Sequence, residues 1–197
     1  AYDYIKADEI SKKKIAQFDT FYFGSLAQRS PDSSEALKKI LTNHSFRQVF
    51  YDVNLRKDCY TKEILDYSLG QCTILKVNDE EVGVIGEMVF GMELNFEEFC
   101  VKVKEAYEGV KTIIITAGKD GCLIYANETI DRVPTDPIKV VDTVGAGDSF
   151  SAAFMCMYAT TQDARRSATV ANKVGGFVAS NPGPIPKYSE EIKQLLK

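Results

Sequence analysis

The chain has 197 residues, 45% of them hydrophobic and 26% charged, with 24 basic against 28 acidic side chains and a formal net charge of −4. That length suits one domain over residues 1–197, and the mixed composition excludes a disordered tail. The acidic balance argues against nucleic-acid binding, which favours strongly basic surfaces. No apolar run approaches the roughly 18 residues of a membrane span.

Residues 1–14 are polar and charged, so no signal peptide is expected there. Residues 18–23 (FDTFYF) read as a first strand with buried aromatic side chains. Pro31-Asp32-Ser33-Ser34 opens a helix, with Ala36, Leu37, Ile40 and Leu41 at helical spacing. Residues 49–53, 72–77 and 111–116 are further short strands, mostly continuous apolar runs. Helices over residues 61–69 and 95–108 alternate with them, which implies βαβ units and an open, mostly parallel α/β sheet covered on both faces. Residues 122–125 and 129–133, joined at Ala126-Asn127-Glu128, form a hairpin added at the end of the sheet. The last third is helical over 146–158, 164–179 and 189–196, with a Pro-rich break at 181–186 and with Met155 to Tyr158 expected in the core. Five cysteines (59, 72, 100, 122 and 156) without a C-x-x-C pair predict reduced thiols and a cytoplasmic protein rather than a disulfide framework or a zinc cage. The sole histidine, His44, reads as a surface residue at a helix end.

The most informative stretch is Asp142-Thr143-Val144-Gly145-Ala146-Gly147-Asp148-Ser149-Phe150. Small residues at 145–147 let the backbone turn tightly and aim several N–H groups at one point, and the helix that follows adds the positive end of its dipole. The result is an anion site. Asp148 places a carboxylate beside it, either to take the proton of an attacking hydroxyl or to cap the helix at Ala146; spacing leaves both readings open. Two common nucleotide motifs fail: G-x-G-x-x-G would need glycine where Phe150 stands, and no G-x-x-x-x-G-K-[ST] occurs.

This segment resembles the second signature of the ribokinase/PfkB carbohydrate kinases, D-T-x-G-A-G-D-x-F. Other landmarks of that family follow in order. Gly24-Ser25-Leu26 ends the first strand, and Asp52-Val53-Asn54-Leu55-Arg56 matches D-x-N-x-R at the tip of the second. Lys76-Val77-Asn78-Asp79-Glu80-Glu81 matches K-x-N-x-x-E after the third, Thr116-Ala117-Gly118-Lys119-Asp120-Gly121 matches T-x-G-x-x-G after the fourth, and Asn172 sits in the helix beyond the signature. The spelling is most similar to that of fructokinase-like members. All these blocks fall at carboxyl ends of strands or in the turns after them, where ligands bind in open α/β sheets.

The resemblance implies a three-layer, ribokinase-like sandwich and ATP-dependent phosphorylation of a sugar hydroxyl. Asp148 would be the base, and Gly145, Ala146, Gly147 and Arg56 would stabilise the transferring phosphoryl group. Asp52 and Asn54, with Arg56, would contact the sugar. Asn78, Thr116, Gly118, Gly121 and Asn172 would hold the nucleotide, Asn172 near the adenine. Asn78 and Glu81 would hold Mg²⁺ through water, although their spacing equally describes a plain helix start. Asp142 and Gly183 resemble the loop where relatives bind K⁺ or Na⁺. Relatives also carry an N-terminal segment of about a hundred residues with much of the sugar pocket and a β-sheet lid, through which they often form homodimers. This sequence starts after it, with residues 1–17 read as the helix preceding the middle of the sheet. The alternative reading is therefore a non-catalytic ATP-binding module.

Overall fold

The computed structural model describes residues 2–8 and 13–196. The chain divides into two compact units, Ala1–Ile114 and Ile115–Lys197. The first contains β1 (Thr20–Gly24), α1 (Pro31–Asn43), β2 (Gln48–Asp52), α2 (Lys62–Gln71), β3 (Ile74–Asn78), α3 (Asp79–Ile85) and α4 (Phe96–Ala106). The unit boundary falls inside β4 (Thr112–Thr116). In the second unit follow β5 (Cys122–Ala126), β6 (Thr129–Val133), α5 (Ala146–Thr161), α6 (Ala164–Ala179) and α7 (Glu190–Leu195).

Within the first unit β1 pairs with β2 and β2 with β3, both in parallel, with Phe21 opposite Val49 and Phe50 opposite Ile74. All five residues of β2 are buried, as a parallel strand covered on both faces requires. Phe50, Tyr51, Leu65, Leu75, Ile85, Phe99 and Val103 form the centre of this core. Each helix begins on a side chain that accepts one of its orphan N–H groups: Ser30 for α1, Thr61 for α2, Asn78 for α3 and Asn95 for α4. α3 continues into a π-helical turn, Gly86–Phe90, that Gly91 ends in the left-handed conformation.

The second unit carries the expected antiparallel hairpin, with Cys122 opposite Val133 and Ala126 opposite Thr129. Its turn residues Asn127 and Glu128 both have positive φ, 50° and 62°, the twist that two-residue hairpins select. α5 runs three residues beyond the expected Tyr158. The hydroxyls of Thr160 and Thr161 donate to the Met157 carbonyl, and Gln162 closes the helix at φ 54°.

Several expectations change. The helix expected over residues 1–17 is helical at 13–15; residues 4–8 are irregular, residues 9–12 lie outside the described residues, and Arg29 grips the Asp3 carboxylate at 2.7 and 2.8 Å. Phe18, which precedes β1, and Tyr22 within it are exposed rather than buried. Cys156 is exposed, not core. No helix among the described residues is long and apolar enough to cross a membrane.

Gly121 gives the fold its sharpest test. Its φ is 82°, and a Cβ there would lie 2.2 Å from the Val133 carbonyl oxygen. Gly121→Ala is expected to cost at least about 2 kcal/mol, read as a lowered urea midpoint with an unchanged slope. Wild-type stability in that variant would contradict the turn geometry.

Candidate functional site

In the first unit the carboxyl ends of β2 and β3 carry a buried charge cluster. Lys76 Nζ donates to Asp52 Oδ1 at 2.9 Å, and the Tyr22 hydroxyl donates to Asp52 Oδ2 at 3.2 Å. Asp52 is buried, so its carboxylate faces Lys76 and Tyr22 and not an open pocket. Asn54 takes a positive φ of 43° and Arg56, two residues on, is exposed.

Glu81 is buried with both carboxylate oxygens occupied by main chain. Oε1 accepts the Leu55 N–H at 2.7 Å and Oε2 accepts the Asn78 N–H at 2.9 Å. Asn78 Oδ1 in turn accepts the Glu81 N–H at 2.8 Å, which completes a capping box. Burial pushes the Glu81 carboxyl above the ordinary glutamate value, against the opposing pull of the Asn78 and Leu55 amides and of the Lys76 charge. The polar atoms of Asn78 and Glu81 close the start of α3 and clasp the turn after β2, the helix-start reading of their spacing.

In the second unit the signature loop is held by Asp142. Its Oδ1 accepts the Val144 N–H at 3.0 Å and its Oδ2 accepts the Gly183 N–H at 3.1 Å. Gly145 caps α5 in the left-handed conformation, φ 80°, and a Cβ on it would lie 2.7 to 2.8 Å from three atoms of Pro184. Only glycine fits there. No side chain caps α5; Asp148 sits in its first turn, exposed, and is not the cap. The Ala146 N–H is spent on the Thr143 carbonyl at 3.2 Å, and the first-turn amides left over are those of Gly147 and Asp148. The Asp142 carboxylate, expected near a monovalent cation, here joins two loops through main-chain amides.

Two cavities of the second unit share this helix start. One, about 640 Å³, is lined by Thr116, Gly118, Gly121, Ala146, Gly147 and Asn172 together with Ile138, Val140, Phe150, Gly175 and Gly176. The other, about 610 Å³, is lined by Gly145, Asp148, Ser149, Cys156, Pro184 and Tyr188 among others. Four of the five residues expected to hold a nucleotide therefore meet in one cavity; Asn78 belongs to the first unit.

Asn172 lines that cavity but is committed on one side. Its Nδ2 donates to the carbonyls of Val133 and Pro134 at 3.1 and 3.2 Å, tying α6 to the chain that leaves β6. Sequence reasoning missed the apolar wall of Ile138 and Val140 and the adjacent Gly175-Gly176. The available signal was a glycine pair inside a helix, where its cost is justified only by close approach. Gly175 packs that closely: a Cβ on it would lie 3.2 Å from the Ala146 carbonyl.

The model of the pfkB family carbohydrate kinases matches residues 2–191. Fructokinase-1 of Zea mays is 26% identical over 97% of this chain and 62% of its own length. Two solved structures share the fold. A ribokinase-II-type chain from E. coli in complex with ATP and Mg²⁺ superposes with a TM-score of 0.78 at 23% identity, over 94% of this chain and 60% of that one. Fructokinase from Vibrio cholerae, bound to fructose, ADP and calcium, gives 0.76 at 18% identity, over 90% and 60%. The expected ribokinase-like α/β class is therefore the fold of this chain, which spans 58 to 63% of the length of the probable fructokinases of Arabidopsis thaliana that it matches.

Burial separates the thiols. It pushes Cys72, Cys100 and Cys122 up to about 12, whereas Cys156 is exposed and Cys59 half-buried. Iodoacetamide at about pH 8 should modify Cys156 and Cys59 and spare the other three until denaturant is added, as peptide mass mapping would read. Early modification of Cys72 or Cys122 would contradict the packing.

Proposed function

The chain belongs to the pfkB family of carbohydrate kinases, and on that premise we propose that it carries the nucleotide-binding and phosphoryl-transfer portion of an ATP-dependent sugar kinase. One observation supports this above the others: the first turn of α5 borders two cavities, with Ala146 and Gly147 in one wall and Gly145 and Asp148 in the other. A donor in the first cavity and an acceptor in the second would meet at that turn.

In this reading the base of ATP lies against Ile138, Val140 and the flat Gly175-Gly176 surface, within the cavity of about 640 Å³. Its phosphates run toward the α5 start, where the Gly147 and Asp148 amides and the helix dipole meet the charge that grows on the terminal group. The Asp148 carboxylate accepts the proton of the attacking sugar hydroxyl, a contribution typically worth about 10²–10⁴-fold. Arg56 keeps the role that the resemblance gives it, a planar guanidinium for the transferring group. Magnesium is expected to arrive with the nucleotide, as in the E. coli complex, and no step is assigned to Asn78 or Glu81. A six-carbon ketose is the expected acceptor, because the D-x-N-L-R and G-S-L spellings resemble fructokinases.

A second reading has its own support. Because the chain spans less than two thirds of its relatives' length, the same cavity would serve an ATP-binding module without turnover. Sugar-dependent ADP release by the 197-residue chain would decide for the kinase.

Two measurements test the proposal. Gly176→Val, which points a branched side chain at Ile138, should weaken ATP binding by calorimetry about tenfold or more while leaving the circular dichroism unchanged. Undiminished affinity would move the nucleotide elsewhere. In a complete kinase containing this chain, Asp148→Asn should lose about 10²–10⁴ in turnover and keep ATP affinity within a few fold. Near-normal turnover would remove Asp148 from the base position.

A further inference from the structure

The first unit buries one lysine among acids. Lys76 exposes 9% of its side chain and its partner Asp52 1%. The ammonium donates to Asp52 Oδ1 at 2.9 Å, and Glu81, three residues after β3, is a second buried carboxylate of this unit. Glu81 in turn spends its Oε1 on the Leu55 N–H at 2.7 Å, in the turn that carries Asn54 and Arg56.

The order of these contacts has a direction. Two carboxylates packed at one sheet end repel each other, and a buried anion without a counter-charge is strongly unfavourable. The ammonium offsets both. Without it, the cheaper escape belongs to the carboxylate held by main-chain amides alone, because Asp52 lies deeper and also accepts from Tyr22. Glu81 swinging outward would free the Leu55 amide, next to Asn54 at a positive φ of 43°, a left-handed turn conformation that asparagine adopts more readily than most residues.

We propose that Lys76 is a positioning residue: its ammonium, paired with Asp52 at the end of β2, offsets the buried charge of Glu81 as well, keeps Glu81 clasped on the Leu55 amide and thereby fixes the turn at residues 53–56 that presents Asn54 and Arg56. The kinase reading gives that turn its purpose, since Arg56 is assigned there to the transferring group; the clasp itself does not depend on it.

The test is backbone amide exchange in the 197-residue chain, followed by ¹⁵N NMR without nucleotide or sugar. Lys76→Met should speed exchange at Leu55 by about tenfold or more, the size expected when a charge-assisted hydrogen bond opens. Amides in α6 such as Val174 and Val178 should keep their wild-type rates, and Lys76→Arg, which keeps the cation, should restore protection at Leu55. A folded Lys76→Met with wild-type exchange at Leu55 would overturn the proposal, and so would acceleration spread evenly over all amides. The unmutated chain gives an independent check should the methionine variant not fold. The Lys76 ammonium should appear as a resolved, slowly exchanging ¹H–¹⁵N signal at neutral pH that is lost in Asp52→Asn, and its absence from the wild-type spectrum would overturn the clasp. None of these readouts requires ATP, so failure of the kinase reading would be seen separately, as absent nucleotide binding.

Discussion

The second unit is organised around a steric constraint at residue 145. A backbone that must reach φ 80° and pass within van der Waals contact of Pro184 admits no side chain, and this fixes where α5 begins. The Asp142 carboxylate then ties Val144 to Gly183, so the signature loop and the Pro-rich loop move as one piece. Once the helix start is fixed, its uncapped amides, the Asp148 carboxylate and the walls of both cavities acquire defined places. A helix of this length normally takes a side-chain cap; leaving that place open keeps the donors available for an anion.

The first unit reaches a comparable rigidity through buried charge. The spelling N-x-E-E occurs twice, at Asn78 to Glu81 and at Asn95 to Glu98, and each forms a capping box. At α4 the box is exposed and does no more than start a helix. At α3 the glutamate of the box, Glu81, is buried, and its spare carboxylate oxygen reaches across to Leu55. Burial makes the difference: in a low dielectric each unsatisfied oxygen is costly, so the α3 box recruits a neighbouring amide where the α4 box leaves its oxygen to water.

These two devices suit a phosphotransferase chemistry that relies on placement more than on covalent steps. Phosphoryl transfer asks for charge stabilisers held at fixed points and for a base beside them. In the proposed reading glycine, aspartate and main-chain amides meet that need without a histidine; the chain's sole histidine, His44, lies against Phe46 with the two rings tilted, far along the sequence from the signature loop.

The amino-acid order alone was sufficient for the parallel strands, the hairpin at 126–129 and the tight glycine turn ahead of α5, because local period, turn chemistry and small-residue spacing act over a few residues. It also brought Thr116, Gly118, Gly121 and Asn172 together, through the long motif they share with carbohydrate kinases. Packing decided the rest. Which amides Glu81 would clasp, whether Asp148 would cap a helix or line a cavity, and whether Phe18 and Tyr22 would be covered depended on atoms distant in sequence. A side chain's type is written in the chain; its burial and its partners exist only when the fold has closed around it.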